Sequence, residues 1–257
     1  MEQKKLFYGE LPRLSCITSI YFNNGGANHL YSLLSRYNDF PDAIMKYIQF
    51  VIVDDCSSDS YIIPSYINLN IKLLKITEDI PWNNAGAKNL GVTFAPSAKI
   101  LLTDIDHYIP SELLTLLLEF PVPYCQIYDF EREEETGEKI VPHKNTFFTS
   151  KSIFFKSLGY DEQYCGNYGH DDSFFFLLQL YLGTRVMHFE SPYPIKRLGY
   201  YKTHHSLTRD TTINKKLLET HKEHLQSGKD PLLCHSRLFL NFKWEIVEER
   251  FYKPSVV

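Results

Sequence analysis

The chain has 257 residues, 44% of them hydrophobic, and a formal net charge of −4. That length suits one large α/β domain or two small ones, and the acidic balance supplies no basic field for nucleic acid. Cys16, Cys56, Cys125, Cys165 and Cys234 are scattered without a Cys-x-x-Cys pair, which argues against a disulfide framework or zinc cluster and for free thiols in a reducing compartment. Residues 1–11 are polar, and no run approaches the roughly 18 apolar residues of a membrane span. A soluble, cytoplasmic protein is expected, at most peripheral to a membrane.

Residues 14–20 predict a first strand, and Gly25-Gly26 opens a helix running to about residue 37. Residues 48–53 form a nearly continuous apolar run that stops at Asp54-Asp55, with Ser58 or Asp59 expected to cap a following helix. Residues 71–76 predict a third strand, 84–95 a helix, and 100–103 a fourth strand ending at Asp104. Strands apolar on both faces and separated by helices imply a mostly parallel sheet covered on both sides. Ligands of such sheets sit beyond the carboxyl ends of the strands, where these acidic clusters fall. The second half is less regular: a charged hairpin over 131–139, an apolar helix over 174–182, a more polar helix over 214–226, and an amphipathic segment 236–257 with a solvated face.

Three acidic clusters carry the chemistry. Val53-Asp54-Asp55-Cys56-Ser57-Ser58-Asp59 places two adjacent carboxylates at a strand tip, where an imide N–H and ribose hydroxyls would offset their repulsion; a turn built from helix-capping residues is the plainer alternative. Asp104-Ile105-Asp106 leaves a buried strand with no neutralising neighbour, which suits a divalent cation bridging to a diphosphate, with Mn²⁺ or Mg²⁺ on hard oxygen ligands. Tyr168-Gly169-His170-Asp171-Asp172 leads into an apolar helix; Asp172 suits the helix N-terminus, and Asp171, among aromatic neighbours, suits a general base. His204-His205 lies beside Lys196, Arg197 and Lys202, so one imidazole, His205 by preference, is a candidate third metal ligand, while the basic residues either assist a diphosphate or form a solvated loop.

Together these clusters resemble the GT-A glycosyltransferases, in particular the family 2 group and the β-1,4-galactosyltransferase-like enzymes. The 53–59 segment resembles a Val-Asp-Asp-Gly-Ser-x-Asp signature, and Asn84-Ala85-Gly86-Ala87-Lys88-Asn89-Leu90-Gly91 a Gly-x-x-x-Ala-Arg-Asn-x-Gly helix. Asp104-Ile105-Asp106-His107-Tyr108-Ile109-Pro110 is similar to Asp-Val-Asp-x-x-x-Pro, Gly169–Asp172 to Gly-Glu-Asp-Asp, and His205-Ser206 to a metal-binding His-Ser. The order also matches, over about residues 14–210.

The resemblance implies a single GT-A domain over 1–257. A Rossmann-like nucleotide-binding half (about 12–110), with a mostly parallel sheet flanked by helices, grades into a smaller β-rich acceptor-side half (about 111–257). It implies inverting, Mn²⁺-dependent transfer of a sugar from a nucleotide sugar, usually a UDP-sugar, to a glycan or glycolipid acceptor in surface polysaccharide synthesis. Thr18 and Asp55 would contact base and ribose, Lys88 would lie near the nucleotide or hold the acidic groups, and Asp104 would face ribose or sugar. Asp106 and His205 would bind metal, Asp171 would deprotonate the acceptor, and Trp82, Tyr168 and Asp172 would line the sugar or acceptor side. The chain departs from these patterns in three places. Cys56 stands in place of Gly, which predicts an ordinary backbone angle there; Lys88 stands in place of Arg, and His170 in place of Glu.

Three other functional classes fit the sequence less well. A sugar-phosphate nucleotidyltransferase would carry cations after its first strand, and residues 19–26 have none. A non-catalytic nucleotide- or glycan-binding module would not need Asp106, Asp171 and His205 together. A nuclease is excluded by the acidic balance. Oligomeric state is not legible in the sequence.

Overall fold

The computed structural model describes residues 12–23, 26–199 and 207–254. Its first part alternates β1 (Leu14–Ile20), α1 (Ala27–Asn38), the single turn α2 (Asp42–Met45), β2 (Ile48–Asp55), β3 (Asn70–Ile76), α3 (Asn84–Phe94) and β4 (Lys99–Asp104). There follow β5 (His107–Tyr108), α4 (Ser111–Glu119), β6 (Gln126–Asp129), β7 (Arg132–Glu134), β8 (Lys139–Ile140), β9 (Phe147–Ser150) and α5 (Lys151–Lys156). The last elements are α6 (Asp171–Tyr181), β10 (Arg185–His188), β11 (Ile195–Arg197), α7 (Thr212–Gln226) and β12 (Trp244–Arg250).

The main sheet has the order β10-β6-β9-β4-β1-β2-β3-β12. Its centre, β3-β2-β1-β4, is parallel, while β9 runs antiparallel to β4 and β12 antiparallel to β3. Alternate residues of each central strand enter different cores, which is why apolar residues fall on both faces of these strands. Leu14, Cys16 and Ile20 of β1 pack with Leu30 and Leu34 of α1 and with Leu113 and Leu117 of α4. Ile17 instead joins Leu90 of α3 and Phe154 and Phe175 of α5 and α6. Helix α3 lies close on the sheet because Gly91 permits it: a Cβ there would fall 2.4 Å from Ile17 Cγ2. A smaller sheet, β5-β11-β7-β8, stands beside the end of β4, and the charged hairpin of the sequence is its β7–β8 pair.

Two expectations need correction. No helix follows Asp59; residues 56–69 run irregularly into β3. Asp54 and Ser57, rather than the expected caps Ser58 and Asp59, lock the strand end. Asp54 accepts the Ser57 N–H at 2.7 Å and the Tyr61 hydroxyl at 3.0 Å, and Ser57 Oγ accepts the Phe22 N–H at 2.8 Å. Second, Cys56 takes φ +60°, the left-handed conformation a glycine would adopt freely. The segment expected to present a solvated face contributes β12, an edge strand beside β3 with no residue fully buried. Arg250 of that strand donates to the carbonyls of Ile63, Pro64 and Ile67, pinning the 56–69 segment. Among the described residues no helix is long and apolar enough to cross a membrane.

Candidate active site

The carboxyl ends of β1, β2 and β4 open into one cleft of about 940 Å³. Ser19 and Tyr21 line it from β1, Asp55 from β2, and Asp104 and Asp106 from the end of β4. Asn84 enters from the start of α3, and Asp171 and Asp172 from the start of α6.

The two carboxylates at the tip of β2 divide the work. Asp54 is turned inward, held by Ser57 and Tyr61, with Lys75 Nζ at 3.7 Å. Asp55 faces the cleft and accepts the Asn83 amide at 3.1 Å. Burial pushes its carboxyl up to about 7, against the Asn83 hydrogen bond and with further repulsion from Asp54 and Asp79. Thr18 does not line the cleft; Ser19, the next residue, does, its hydroxyl donating to Asn84 at 2.8 Å.

Asp104 and Asp106 come together with His107, their ligand atoms lying within 4.8 Å of one another. Two carboxylates open to a polar cleft form a hard donor set of the kind Mg²⁺ or Mn²⁺ takes. His143, in the loop before β9, places Nδ1 3.4 Å from Asp104. Burial opposes ionisation of Asp106, but the contact with His107 and the nearness of His143 outweigh it and hold the carboxyl below its usual range. His205, the other expected ligand, and its neighbour His204 lie outside the described residues; Arg197 and Leu207, on either side of that stretch, both line the cleft.

Asp171 opens α6. Burial raises its pKa, Lys88 opposes that rise, and Asp172 adds to it. Lys88 does not line the cleft. It is buried behind it on α3, donating to Asn145 at 2.6 Å and lying 5.1 Å from the Tyr160 ring centre. Asp172 accepts the Ser173 N–H at 2.6 Å, a local tie in the first turn of the helix. The preceding loop is fixed by buried Asn214, whose amide donates to the carbonyls of Tyr164, Asn167 and Gly169. Gly169 and His170 both have positive φ, which turns the chain into α6.

Trp82 and Tyr168 form an aromatic wall with ring centres 4.5 Å apart. Trp82 holds φ +53° and donates from Nε1 to Thr208 O at 3.0 Å, and Arg209 lies 5.6 Å from the Tyr168 ring centre. The basic pair of β11 is not a solvated loop: Lys196 and Arg197 pair with Glu133 and Glu134 of β7. Sequence reasoning missed Asn83, Asn84, His143 and Asn145 as site residues. Asn83 and Asn84 adjoin a quoted motif and were within reach; His143 and Asn145 fall in a loop without periodicity or motif.

No family model matches the sequence, and no curated protein sequence matches it. Solved structures do match. Staphylococcus aureus TarS 1–349 in complex with UDP-GlcNAc superposes with a TM-score of 0.63 at 17% identity, covering 86% of this chain and 69% of that one. The catalytic domain of Drosophila β1,4-galactosyltransferase 7, in complex with xylobiose, gives 0.54 at 13% identity, covering 92% and 87%. The chain has the GT-A glycosyltransferase fold. Another TarS 1–349 structure, in complex with UDP, gives 0.54 at 16% identity over 86% and 68% of the two chains. In this GT-A chain the strand ends, the acidic pair and the start of α6 converge on one cleft.

Proposed function

We propose that the protein is an inverting, divalent-cation-dependent glycosyltransferase, a single domain that transfers a hexose or N-acetylhexosamine from a UDP-sugar to a hydroxyl of a glycan or glycolipid. The observation that carries this reading is the sharing of one cleft by Asp104 and Asp106 at the end of β4 and Asp171 at the start of α6. The UDP-GlcNAc and UDP complexes of TarS, which has the same fold at low identity, support the donor class.

In this reading Asp55, backed by Asn83, accepts N–H or hydroxyl donors of the nucleoside, and Ser19 stands where Thr18 was expected. Asp104 faces ribose or sugar. Asp106, with His205, holds the cation. A bound Mn²⁺ or Mg²⁺ would supply Lewis-acid stabilisation of charge on the departing diphosphate. Asp171 takes the proton of the acceptor hydroxyl as that oxygen bonds to the anomeric carbon and the bond to phosphate breaks. Its raised pKa fits a base, and Asn84 and Lys88 keep the anion accessible. The local tie of Asp172 to Ser173 favours one base and one displacement over a covalent intermediate. The acceptor enters past Trp82 and Tyr168, whose faces suit sugar stacking.

The test is binding and hydrolysis across a panel of UDP- and GDP-sugars, with Mn²⁺ and with chelator. Wild type should bind one UDP-sugar in a metal-dependent way; Asp106→Ala should lose that binding, and Asp171→Asn should lose turnover alone. If no nucleotide sugar binds under either condition, the transferase reading is wrong.

A further inference from the structure

The residue after the acidic pair is buried where a metal ligand would have to be reachable. His107 is 1% exposed and Arg132 4% exposed, so the two form a polar pair inside the protein. Arg132 belongs to β7 and His107 to β5, and β11 lies between them in the small sheet. The guanidinium therefore reaches over two strand spacings, roughly 10 Å, to meet the imidazole. It is clamped on the way: Nε and Nη2 both donate to the Val141 carbonyl, at 3.0 and 2.6 Å. Nη1 is in hydrogen-bond contact with His107 Nε2. On the other side of the ring, His107 Nδ1 lies 2.8 Å from Asp106 Oδ1. The alignment there is poor enough that Nδ1 counts as a buried atom without a full hydrogen bond, yet at this separation nothing fits between them.

Donor and acceptor logic fixes the ring. Arginine has five N–H donors and no acceptor, so the imidazole nitrogen facing it must carry a lone pair. Nε2 is then unprotonated and Nδ1 holds the proton, on the side of the ring that meets Asp106. A cationic ring would set an N–H against an N–H, and the other neutral tautomer would do the same. Ligation of a cation through Nδ1 would require that proton to move to Nε2, into the guanidinium. His107 is thus excluded as a ligand although its atoms stand within ligating range of Asp104 and Asp106.

We infer that Arg132 and His107 form a buried relay that positions Asp106, orienting its carboxylate from the small sheet so that its remaining lone pairs face the cleft. The inference rests on the proposed role of Asp106 toward a divalent cation. His107 is a positioning residue here: it acts on the cation only through Asp106. Second-layer partners of this kind are worth about 10- to 100-fold in metal affinity. The backbone is set by the same strand region, since Leu198 N–H donates to Asp106 O at 2.7 Å. The small sheet, which contributes no catalytic carboxylate among the described residues, thereby acquires a part in the site.

Two measurements on the full chain test this. In metal-free, ¹⁵N-histidine-labelled protein, the two-bond ¹⁵N–¹H pattern of His107 should be that of the Nδ1–H tautomer, which is the less common neutral form of a free histidine side chain. Arg132→Leu should release it to the Nε2–H form. An Nε2–H or cationic His107 in wild type would overturn the relay whether or not metal binds. Calorimetric Mn²⁺ affinity is the second readout. His107→Asn, whose amide N–H₂ takes the Nδ1 position, should stay within about threefold of wild type, while His107→Phe should lose about tenfold or more. Equal affinity of the Phe and wild-type proteins would sink the inference while leaving the metal site standing. Absence of Mn²⁺ binding in wild type would sink both.

Discussion

Asn84 donates its side-chain amide to the Asp171 carboxylate at 3.4 Å, while its oxygen accepts the Ser19 hydroxyl at 2.8 Å. One residue at the start of α3 thus links the tip of β1 to the base proposed at the start of α6. Burial raises the Asp171 pKa, Lys88 restrains that rise, and Asp172 adds to it. A base must be ionised to act, so any loss of a group that favours the anion moves the acid limb of kcat/KM to higher pH. Lys88→Met should move it clearly, Asn84→Ala in the same direction by less, and Asp171→Asn should cost about 10²–10⁴ in rate on the plateau above that limb and progressively less below it. A pH–rate profile of the three variants checks the order. An unmoved limb in Lys88→Met would mean that Asp171 is not the titrating group.

Asp55 is where stability and binding should oppose each other. Its carboxyl is pushed from 3.8 to about 7, by burial first and then by Asp54 and Asp79 against the Asn83 hydrogen bond. A carboxyl raised in the folded state binds more protons than in the unfolded chain, so it destabilises the fold progressively as pH rises from about 4 to about 7. At about 1.36 kcal/mol per pH unit, that displacement sets a ceiling of roughly 4 kcal/mol. Asp55→Asn should therefore melt higher than wild type at pH 8, with the advantage gone near pH 4, and should bind UDP more weakly. Thermal melts across pH with a UDP titration decide it. Equal melting at pH 8 would show that the carboxylate is already compensated.

The parallel core was legible because strands β1 to β4 bury both faces, and the polar residues of β1, which sets Ile17 on one side and Cys16 on the other, are the small Ser15, Thr18 and Ser19. The acidic residues were legible because they end those strands. What failed turns on contacts between distant residues. Ser57 and Asp54 have the chemistry of a helix cap, but Phe22 N–H and Tyr61 are their partners, and neither is visible locally. Lys88 carried a motif without showing that it lies behind the cleft, because its partners Asn145 and Tyr160 come from 57 and 72 positions further on. The small sheet is built from strands of two or three residues, too short for a period to declare itself, so Arg132 and His107 gave no sign of meeting.

Asn89 shows a motif residue whose work is structural. Its amide donates to Tyr160 O and to Glu162 Oε1, both at 2.9 Å, and its oxygen accepts Tyr160 N–H at 2.8 Å. The Glu162 carboxylate in turn accepts the N–H groups of Leu240 and Asn241, which tether the segment leading to β12. Asn89→Ala would leave a buried N–H and two acceptors short of a partner and should cost about 2–4 kcal/mol. Asn89→Asp should cost at least as much, since it sets a second anion against Glu162. Urea unfolding with Mn²⁺ affinity as a control separates this from a site effect. A loss below about 1 kcal/mol in Asn89→Ala would mean that water replaces the amide.

Cys56 offers a test of backbone strain beside the site. Its φ of +60° follows from the turn that Asp54 and Ser57 impose at the end of β2. A side chain in that region costs roughly 1–2 kcal/mol, whereas glycine occupies it freely and gives back about 0.5–1 kcal/mol through greater freedom in the unfolded chain. The net for Cys56→Gly is a gain of about 0.5 kcal/mol. Cys56→Val should lose more than 1 kcal/mol, because β-branching is least tolerated at positive φ. Cys56 does not line the cleft, so neither change should alter UDP affinity by more than about twofold so long as the protein remains folded. Urea midpoints in the order Gly, Cys, Val would establish the strain; Val equal to Cys would show that the turn relaxes to an ordinary angle and that Asp54 does not impose it.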